Sequence, residues 1–270
     1  MSHPSSRVIG ILGPSFCGST ILGLCLDGLP GVAFVGETHW LLDDPTSTLR
    51  RLPCRECYPD PCPRFTPELI ARLHAAQAEG RWWPAMAADI GCDVLVTSDK
   101  VPSSYDRLGL PDVLLSPRKH PCAHVRSAIR YLHEDHITDE TIEAAIGWLH
   151  EHTMMGLYWA SERDLPVVPV DIAAFAREPA VELHNLCTRL DLGDFVQGFA
   201  ATAADPTNSE HHHVGGNFSL RDRRAGTAHR SAYFGTAVRP DDQWRTELTP
   251  AQINRITTDP RVRALEEAWS

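Results

Sequence analysis

The first residues whose types and spacing could do chemistry lie in the stretch GPSFCGSTIL, over positions 13–22. The pattern Gly13-x4-Gly18-Ser19-Thr20 keeps the glycines and the hydroxyl residue of the phosphate-binding loop G-x-x-x-x-G-K-[ST]. In such a loop, backbone N–H groups and a helix N-terminus surround an anion. Serine replaces the lysine, so the β- and γ-phosphates of ATP would lack their usual cation. An ordinary strand–turn–helix junction could share this spacing. We predict an anion site formed by Pro14, Ser15, Phe16, Cys17, Gly18, Ser19 and Thr20.

A second group of chemically capable residues is the cysteine cluster Cys54, Cys57 and Cys62, in the proline-rich stretch PCRECYPDPCPRF. Three thiols at this spacing could bind zinc if a fourth ligand came from elsewhere in the chain. They could also form one disulfide and leave a spare thiol, which a reducing compartment disfavours. A zinc ion held in this way would have a structural role.

Composition limits what these residues can serve. The chain has 270 residues, 43% of them hydrophobic, enough for one sizeable core or one core with a subdomain. The net charge of -10 argues against non-specific binding to nucleic acid or to an anionic membrane. Polar residues interrupt the apolar run 9–29, so it is not a membrane span, and the N-terminus does not read as a secretory leader. We expect a cytoplasmic protein with no nucleic-acid or membrane partner.

Short apolar runs alternate with helical patterns along the chain. Strand patterns cover 7–12, 32–35, 93–97, 113–116 and 167–170, and Pro169 places the last at a sheet edge or a strand end. Helical patterns cover 20–29, 67–79, 123–134, 138–161, 180–192 and 249–269. This alternation predicts an α/β fold with a central parallel sheet flanked by helices. From about residue 200 the chain turns polar, which indicates a long functional loop within a single 1–270 domain.

Six stretches follow the order of motifs in one enzyme family. They are GPSFCGSTILGLCLDGLPGVAFVGE (13–37), DVLVTSDKVP (93–102), LLSPRKHPCAHVRSAIR (114–130), VPVDIAAFAREPAVELHNLCTRLDLG (168–193), HHHVGGNFSLRDRR (211–224) and DDQWRTELTPAQINRI (241–256). Together they resemble the P-loop sulfotransferases of the bacterial small-molecule or carbohydrate type, which use 3′-phosphoadenosine 5′-phosphosulfate (PAPS) as donor. The resemblance covers most of the chain and implies the P-loop α/β architecture of that family.

The resemblance implies where the donor binds. The lysine-free loop 13–20 would hold the 5′-phosphosulfate. Lys119 and Ser127 match the family's Arg and Ser that bind the 3′-phosphate. Arg118 is a further candidate, because a guanidinium can bind a phosphate through two N–H groups and a lysine ammonium cannot. Gly216, Asn217 and Arg221 match a loop that closes over the nucleotide. This loop carries histidine in the family, so for the run at 211–213 we expect one histidine near donor or acceptor, with the others solvated, rather than a catalytic metal site.

The same resemblance suggests the catalytic residues. Glu37 looks like the carboxylate that some members use as general base, and His39 is a credible substitute because imidazole has a suitable pKa. Glu37 could also simply stabilise a helix dipole. Many members carry Lys or Arg two residues before the loop glycine, where this chain has Phe16. We therefore predict that Lys100 supplies the missing cation, since its strand end faces the same crevice.

The implied function is transfer of a sulfuryl group from PAPS to a hydroxyl, or an amine, of a small-molecule or sugar acceptor. The products would be a sulfate ester and adenosine 3′,5′-bisphosphate, and no catalytic metal is expected. Segments 40–90 and 130–165 would build the acceptor side, and 200–240 the donor-capping loop. Three alternatives remain: a P-loop small-molecule kinase, a degenerate member that binds a nucleotide without turnover, and an enzyme with an aryl sulfate donor.

Overall fold

A central parallel sheet organises the molecule. The computed structural model describes residues 6–42, 54, 57, 61–132, 136–192, 212–215 and 241–269. The strands are β1 (Arg7–Ile11), β2 (Val32–Gly36), β3 (Val94–Thr97), β4 (Val113–Arg118) and β5 (Val167–Asp171). They lie in the order β2-β3-β1-β4-β5, with every neighbouring pair parallel. The predicted α/β class and parallel sheet are confirmed. Strand ends lie within two residues of the predicted ones, and β5, which contains Pro169, is at an edge.

Helices connect the strands and cover both faces of the sheet. They are α1 (Ser19–Asp27), α2 (Pro67–Ala78), α3 (Trp82–Ile90), α4 (Pro102–Leu108), α5 (Pro121–Leu132), α6 (Asp139–Ser161), α7 (Ile172–Arg177), α8 (Pro179–Arg189), α9 (Trp244–Glu247), α10 (Pro250–Thr258) and α11 (Pro260–Ala268), with a 3-10 helix over Thr38–Leu42. The patterns predicted α1, α2, α5, α6 and α8 but not α3, α4, α7, α9 or the 3-10 helix. Within the ranges that the structure covers, no helix combines the length and apolarity needed to cross a bilayer.

The core is built on both faces of the sheet because the strands are apolar on both sides. Along β1, Ile9 and Ile11 pack into a cluster with α1, α7 and α8. Val8 packs into the opposite cluster, where Trp82 and Tyr105 are fully buried. A third cluster joins α5 and α6 to α9, α10 and α11. The sheet is thereby enclosed, and its carboxyl edge carries the polar side chains described below.

The topology marks one point along this edge as a ligand crevice. The connection from β1 runs towards β2, whereas the connection from β4 runs towards β5, so the two diverge between adjacent strands. Open α/β sheets bind ligands where strand connections diverge in this way. The loop 12–18 follows β1, and Lys119 follows β4. The fold therefore brings the predicted phosphosulfate loop and the predicted 3′-phosphate lysine to this crevice.

Candidate active site

The loop between β1 and α1 has the backbone of an anion-binding turn. Gly18 precedes the helix with a φ of 98°, and Phe16 also has a positive φ of 71°. The N-cap residue of α1 is Gly18, which has no side chain to cap the helix N-terminus. Ser19 and Thr20 are buried at this helix start. Glycine suits position 18 because a Cβ there would be strained and would lie 3.1 Å from Ile172.

The buried side chain of His124 forms a hydrogen bond to the backbone of this loop. Nε2 of His124 lies 2.9 Å from the carbonyl oxygen of Ser15, to which it donates as a neutral ring. Burial, assisted by the charge of Lys119, lowers the pKa of His124 to about 3. Burial also raises the pKa of the Cys17 thiol within the loop, although the charge of Lys100 opposes this. Cys17 is therefore a neutral packing residue, and the loop is held by a neutral imidazole.

The two residues predicted to hold the 3′-phosphate are adjacent in space. Nζ of Lys119 donates to Oγ of Ser127 over 2.9 Å and pairs with the carboxylate of Asp241 at 2.7 Å. The Ser127 hydroxyl donates to the same carboxylate oxygen over 3.1 Å. Burial raises the pKa of Asp241, but Lys119 and Ser127 outweigh it and the net shift is downward. Lys119 and Ser127 therefore already hold an anionic group.

Neighbouring basic residues pack against the C-terminal helices. Nη1 of Arg118 donates to the carbonyl oxygen of Trp269 over 3.3 Å, and its guanidinium lies 5.5 Å from the centre of that ring. His120 stacks on Trp244, with ring centres 4.3 Å apart. Arg118 is thus engaged by Trp269, and the phosphate grip predicted for it would require these contacts to break.

Glu37 and Lys100 form an ion pair beside the loop. Oε1 of Glu37 lies 2.5 Å from Nζ of Lys100, and Oε2 accepts from Nε1 of Trp40 over 3.0 Å. Burial raises the pKa of Glu37, but Lys100, the Trp40 hydrogen bond and the charge of His39 together bring it below its ordinary value. The charge of Lys100 also lowers the pKa of the Cys17 thiol, so it acts on a residue of the loop. Phe16, at the usual cation position, instead packs against Tyr131, with ring centres 5.0 Å apart.

His39 forms a second acid–base pair with a carboxylate that sequence reasoning missed. Nδ1 of His39 lies 2.7 Å from Oδ1 of Asp99, which also accepts from the His39 backbone N–H over 2.8 Å. The other oxygen of Asp99 accepts from Thr38 over 2.9 Å and from Thr97. Asp99 is fully buried, and these hydrogen bonds fix the orientation of its carboxylate. When Nδ1 carries the proton donated to Asp99, Nε2 of His39 is left with a lone pair that can accept a proton.

The lysine content is a signal that sequence reasoning overlooked. The whole chain contains only two lysines, Lys100 and Lys119, against 25 basic residues of both kinds. Both lysines lie at the carboxyl edge of the sheet, and the charges of both act on Cys17. A chain that otherwise uses arginine thus places both of its flexible ammonium groups at one site.

The three clustered cysteines converge on a histidine. Nδ1 of His212 lies 3.7 Å from Sγ of Cys54, 3.2 Å from Sγ of Cys57 and 3.4 Å from Sγ of Cys62. All four atoms lie within 4.8 Å of one another. None of the eight cysteines forms a disulfide, so the disulfide alternative does not apply to this structure. The predicted thiol cluster therefore acquires a fourth metal-capable ligand from the histidine run at 211–213. The expectation that only one histidine of this run avoids solvent is wrong, because His213 is also buried, with its ring stacked on Phe34.

Comparison with known structures identifies the architecture. A sulfotransferase domain from the Synechococcus PCC 7002 olefin synthase aligns with a TM-score of 0.55 at 16% identity, over 98% of this chain and 96% of that one. A sulfotransferase domain from the curacin biosynthetic pathway aligns with a TM-score of 0.57 at 16% identity, over 94% and 96% of the two chains. The chain has the sulfotransferase fold. The predicted resemblance is confirmed at this level.

Other comparisons add nothing to this assignment. A sugar kinase from Janibacter sp. HTCC2649 aligns at 18% identity over 71% of this chain and 98% of the kinase, but the TM-score of 0.36 is too low to indicate a shared fold. No protein-family model matches the sequence, and no curated protein matches it either.

Within the sulfotransferase fold, the described site residues form two groups at the carboxyl edge of the sheet. Glu37, His39 and Lys100 share the carboxyl ends of β2 and β3, and Lys119 and Ser127 meet after β4. The predicted nucleotide-closing residues Gly216, Asn217 and Arg221 lie outside the described residues.

Proposed function

We propose that this chain is a sulfotransferase that moves a sulfuryl group from PAPS to a hydroxyl of a small-molecule or sugar acceptor. One observation carries the proposal. The carboxyl edge of the sheet carries four groups side by side: the anion-binding loop before α1, the Lys119–Ser127 pair, the Glu37–Lys100 ion pair and the His39–Asp99 pair. A donor with a phosphosulfate at one end and a 3′-phosphate at the other matches the two anion-binding groups.

The donor would lie across the divergence between β1 and β4. Backbone N–H groups at Gly18–Thr20 would receive the 5′-phosphosulfate, with His124 fixing the loop through Ser15. Lys119 and Ser127 would bind the 3′-phosphate once Asp241 withdraws from them. The order of these groups along the edge would set the sulfuryl group beside the end of β2, where Glu37 and His39 lie.

His39 is the better candidate for the general base. Glu37 is paired with Lys100 and has a lowered pKa, so it holds a proton weakly. Asp99 orients His39 and would stabilise the imidazolium that forms when Nε2 takes the acceptor proton. The acceptor oxygen would form a bond to sulfur while the bond from sulfur to the bridging phosphate oxygen breaks. The proton would rest on His39, and the electron pair of the broken bond would leave with adenosine 3′,5′-bisphosphate.

Lys100 would stabilise the charge that develops during transfer. Its ammonium is paired with Glu37 and would serve in place of the cation that is missing at position 16. A preorganised cation aimed at growing charge contributes more than one that must be recruited from solvent. Glu37 in this proposal is a positioning residue for Lys100, and the acceptor would reach His39 from the side built by 40–90 and 130–165.

A ligand-induced change in melting temperature tests the donor site. Adenosine 3′,5′-bisphosphate should raise the melting temperature of the wild type, and ATP with Mg²⁺ should raise it less, because a ligand that binds only the folded state stabilises it. Lys119→Ala should lose the bisphosphate response. Arg72→Ala, which removes an exposed cation paired with Asp89, serves as the control and should keep it. Stabilisation by ATP–Mg²⁺ alone would overturn the proposal in favour of a kinase.

A further inference from the structure

We propose that Cys54, Cys57, Cys62 and His212 form a structural Zn²⁺ site that fastens the segment 212–215 to the end of β2. The proposal is independent of the sulfotransferase assignment, since it rests only on the four ligands and on the backbone contacts around them.

The spacing of the ligand atoms fits a single tetrahedral zinc ion. Zinc binds thiolate sulfur at about 2.3 Å and imidazole nitrogen at about 2.0–2.1 Å, so ideal S···N separations are about 3.5 Å. The three observed separations of 3.2–3.7 Å bracket that value. All four atoms also lie within 4.8 Å of one another, close enough for one ion to contact them all. Three thiolates and one imidazole are a typical structural zinc set.

Hydrogen bonding alone does not explain why three sulfurs surround one ring nitrogen. A neutral imidazole Nδ1 offers either one lone pair or one N–H, so it can satisfy one of the three thiols. A cation at the centre satisfies all four ligands at once. Cys54 and Cys62 are buried, and the backbone N–H of Phe65 donates to Sγ of Cys62 over 3.4 Å. Such an N–H···S bond supports a metal-bound thiolate from its outer side.

The metal would join segments that are far apart in the chain. His212 is separated from the three cysteines by 150 to 158 positions. Two residues after His212, Val214 forms bridges to Gly36 and to Cys54. Its carbonyl oxygen accepts from the N–H of Glu37 over 2.7 Å, and its own N–H donates to Val35 over 2.9 Å. A metal that clips such a long loop restricts the unfolded chain and fixes the backbone at Glu37.

Close packing at the next residue tightens this connection. Gly215 has a φ of 65°, and a Cβ there would lie 2.9 Å from Cβ of Glu37. Glycine at 215 therefore lets the segment lie directly against the Glu37 side chain. Through Val214 and Gly215, the metal would hold the position of the Glu37–Lys100 ion pair.

Metal analysis of the full chain, purified under reducing conditions without chelator, tests the site. Wild type should carry about one zinc per chain, and Cys57→Ser and His212→Ala at least about tenfold less. Cys92→Ser, a cysteine outside the cluster, should match the wild type. Because a variant could fail to fold, Co²⁺ is also exchanged into the wild type, where the absorption of tetrahedral cobalt–thiolate coordination is expected. Wild type without zinc and without that absorption, or both variants with full zinc, would overturn the proposal.

Hydrogen exchange tests the fastening. Removal of zinc from the wild type with a chelator should speed amide exchange in a peptide covering 32–42 and leave a peptide covering 113–118 unchanged. Equal exchange with and without zinc over 32–42 would contradict the fastening role. Neither measurement uses PAPS, so failure of the metal site and failure of the proposed function are separately visible.

Discussion

At the scale of single residues, the site contains two acid–base pairs with different tasks. The Glu37 carboxylate is bound to a cation and has a lowered pKa, whereas Asp99 orients an imidazole whose second nitrogen can accept a proton. Two carboxylates at the carboxyl ends of β2 and β3 thus act through different partners. In the proposed mechanism His39 accepts the proton of the acceptor, and Lys100 stabilises the charge that develops during transfer.

Replacing His39 tests the proton acceptor. His39→Asn should lower kcat about 10²- to 10⁴-fold because the acceptor hydroxyl loses its base, and the KM for PAPS should change little. Asp99→Asn should lower kcat in the same direction by disturbing the orientation of His39. The measurement is steady-state kinetics with an identified acceptor, with His184→Asn, an exposed histidine on α8, as control. Full activity in His39→Asn together with loss of activity in Glu37→Gln would assign the base to Glu37 instead.

Replacing Lys100 tests the ion pair through pH. Lys100→Met leaves only the Trp40 hydrogen bond and the His39 charge to oppose burial, the largest influence on this carboxyl, so the pKa of Glu37 should rise above its unfolded value. When the folded pKa of a carboxyl is raised, the protein loses stability as pH rises from the unfolded pKa of about 4.3 through the folded pKa. The variant should therefore be destabilised more at pH 7 than at pH 4. Lys100→Met combined with Glu37→Gln should recover stability at pH 7, as urea titrations can show. An equal loss at both pH values would contradict this assignment.

At the scale of elements, the short strands place the site and the helices support it. The loop before α1 depends on α5, since His124 reaches across to the carbonyl of Ser15. In the folded chain His124 does so as a neutral imidazole, because burial lowers its pKa to about 3. The folded chain thus resists protonation at a position where the unfolded chain accepts a proton readily.

Acidification should therefore weaken the fold through His124. Between about pH 6.5, the ordinary histidine pKa, and the folded value, the unfolded state binds more protons, so stability falls as pH falls. His124→Gln should be less stable than wild type at pH 8, and the difference in melting temperature should shrink towards pH 4. His184→Gln should follow the wild type throughout. Parallel curves for wild type and His124→Gln would show that this histidine does not titrate as described.

Strands and most long helices could be predicted because they depend on local patterns. The apolar run of β1 and the helical period of α6 required no knowledge of distant residues. Helix α3 was not predicted. It contains Pro84 in its first turn, where proline is tolerated because the N–H groups there lack partners anyway. The helical pattern over 249–269 is present in the structure, but it is divided into α10 and α11. Pro260 starts a new helix there, and Asp259 caps it by accepting from the N–H of Arg261.

The candidate site was predicted only as far as motif spacing reaches. Lys119 and Ser127 are eight positions apart on consecutive elements, so their meeting follows from a strand leading into a helix. Asp99 meets His39 from 60 positions away, and His212 meets the cysteines from at least 150. Such partners depend on strand order and on loop paths, which no local pattern encodes.

At the scale of the whole molecule, the C-terminal part competes with the proposed donor. Asp241 precedes α9, and its carboxylate pairs with Lys119 and accepts a hydrogen bond from Ser127 in this structure. A nucleotide with a 3′-phosphate would have to displace this carboxylate. The affinity for the donor would then report the balance between binding the phosphate and holding Asp241.

Neutralising Asp241 should shift that balance towards the nucleotide. Asp241→Asn removes the competing charge and should tighten adenosine 3′,5′-bisphosphate binding by several-fold, with about tenfold corresponding to 1.4 kcal/mol. Calorimetric titration measures the change, and Asp242→Asn, an exposed neighbour paired with Arg245, is the control. Weaker binding in Asp241→Asn would mean that the carboxylate organises Lys119 for the nucleotide instead of competing with it.

The most direct test of the central claim is acceptor-dependent conversion of PAPS to adenosine 3′,5′-bisphosphate. Wild-type chain is incubated with PAPS and a panel of hydroxyl acceptors, beside Lys119→Ala and His39→Asn. We predict release of the bisphosphate with at least one acceptor, lost with Lys119→Ala through donor binding and with His39→Asn through turnover. A wild type that binds the bisphosphate but releases none from PAPS with any acceptor, or that transfers phosphate from ATP to the same panel, would contradict the sulfotransferase function.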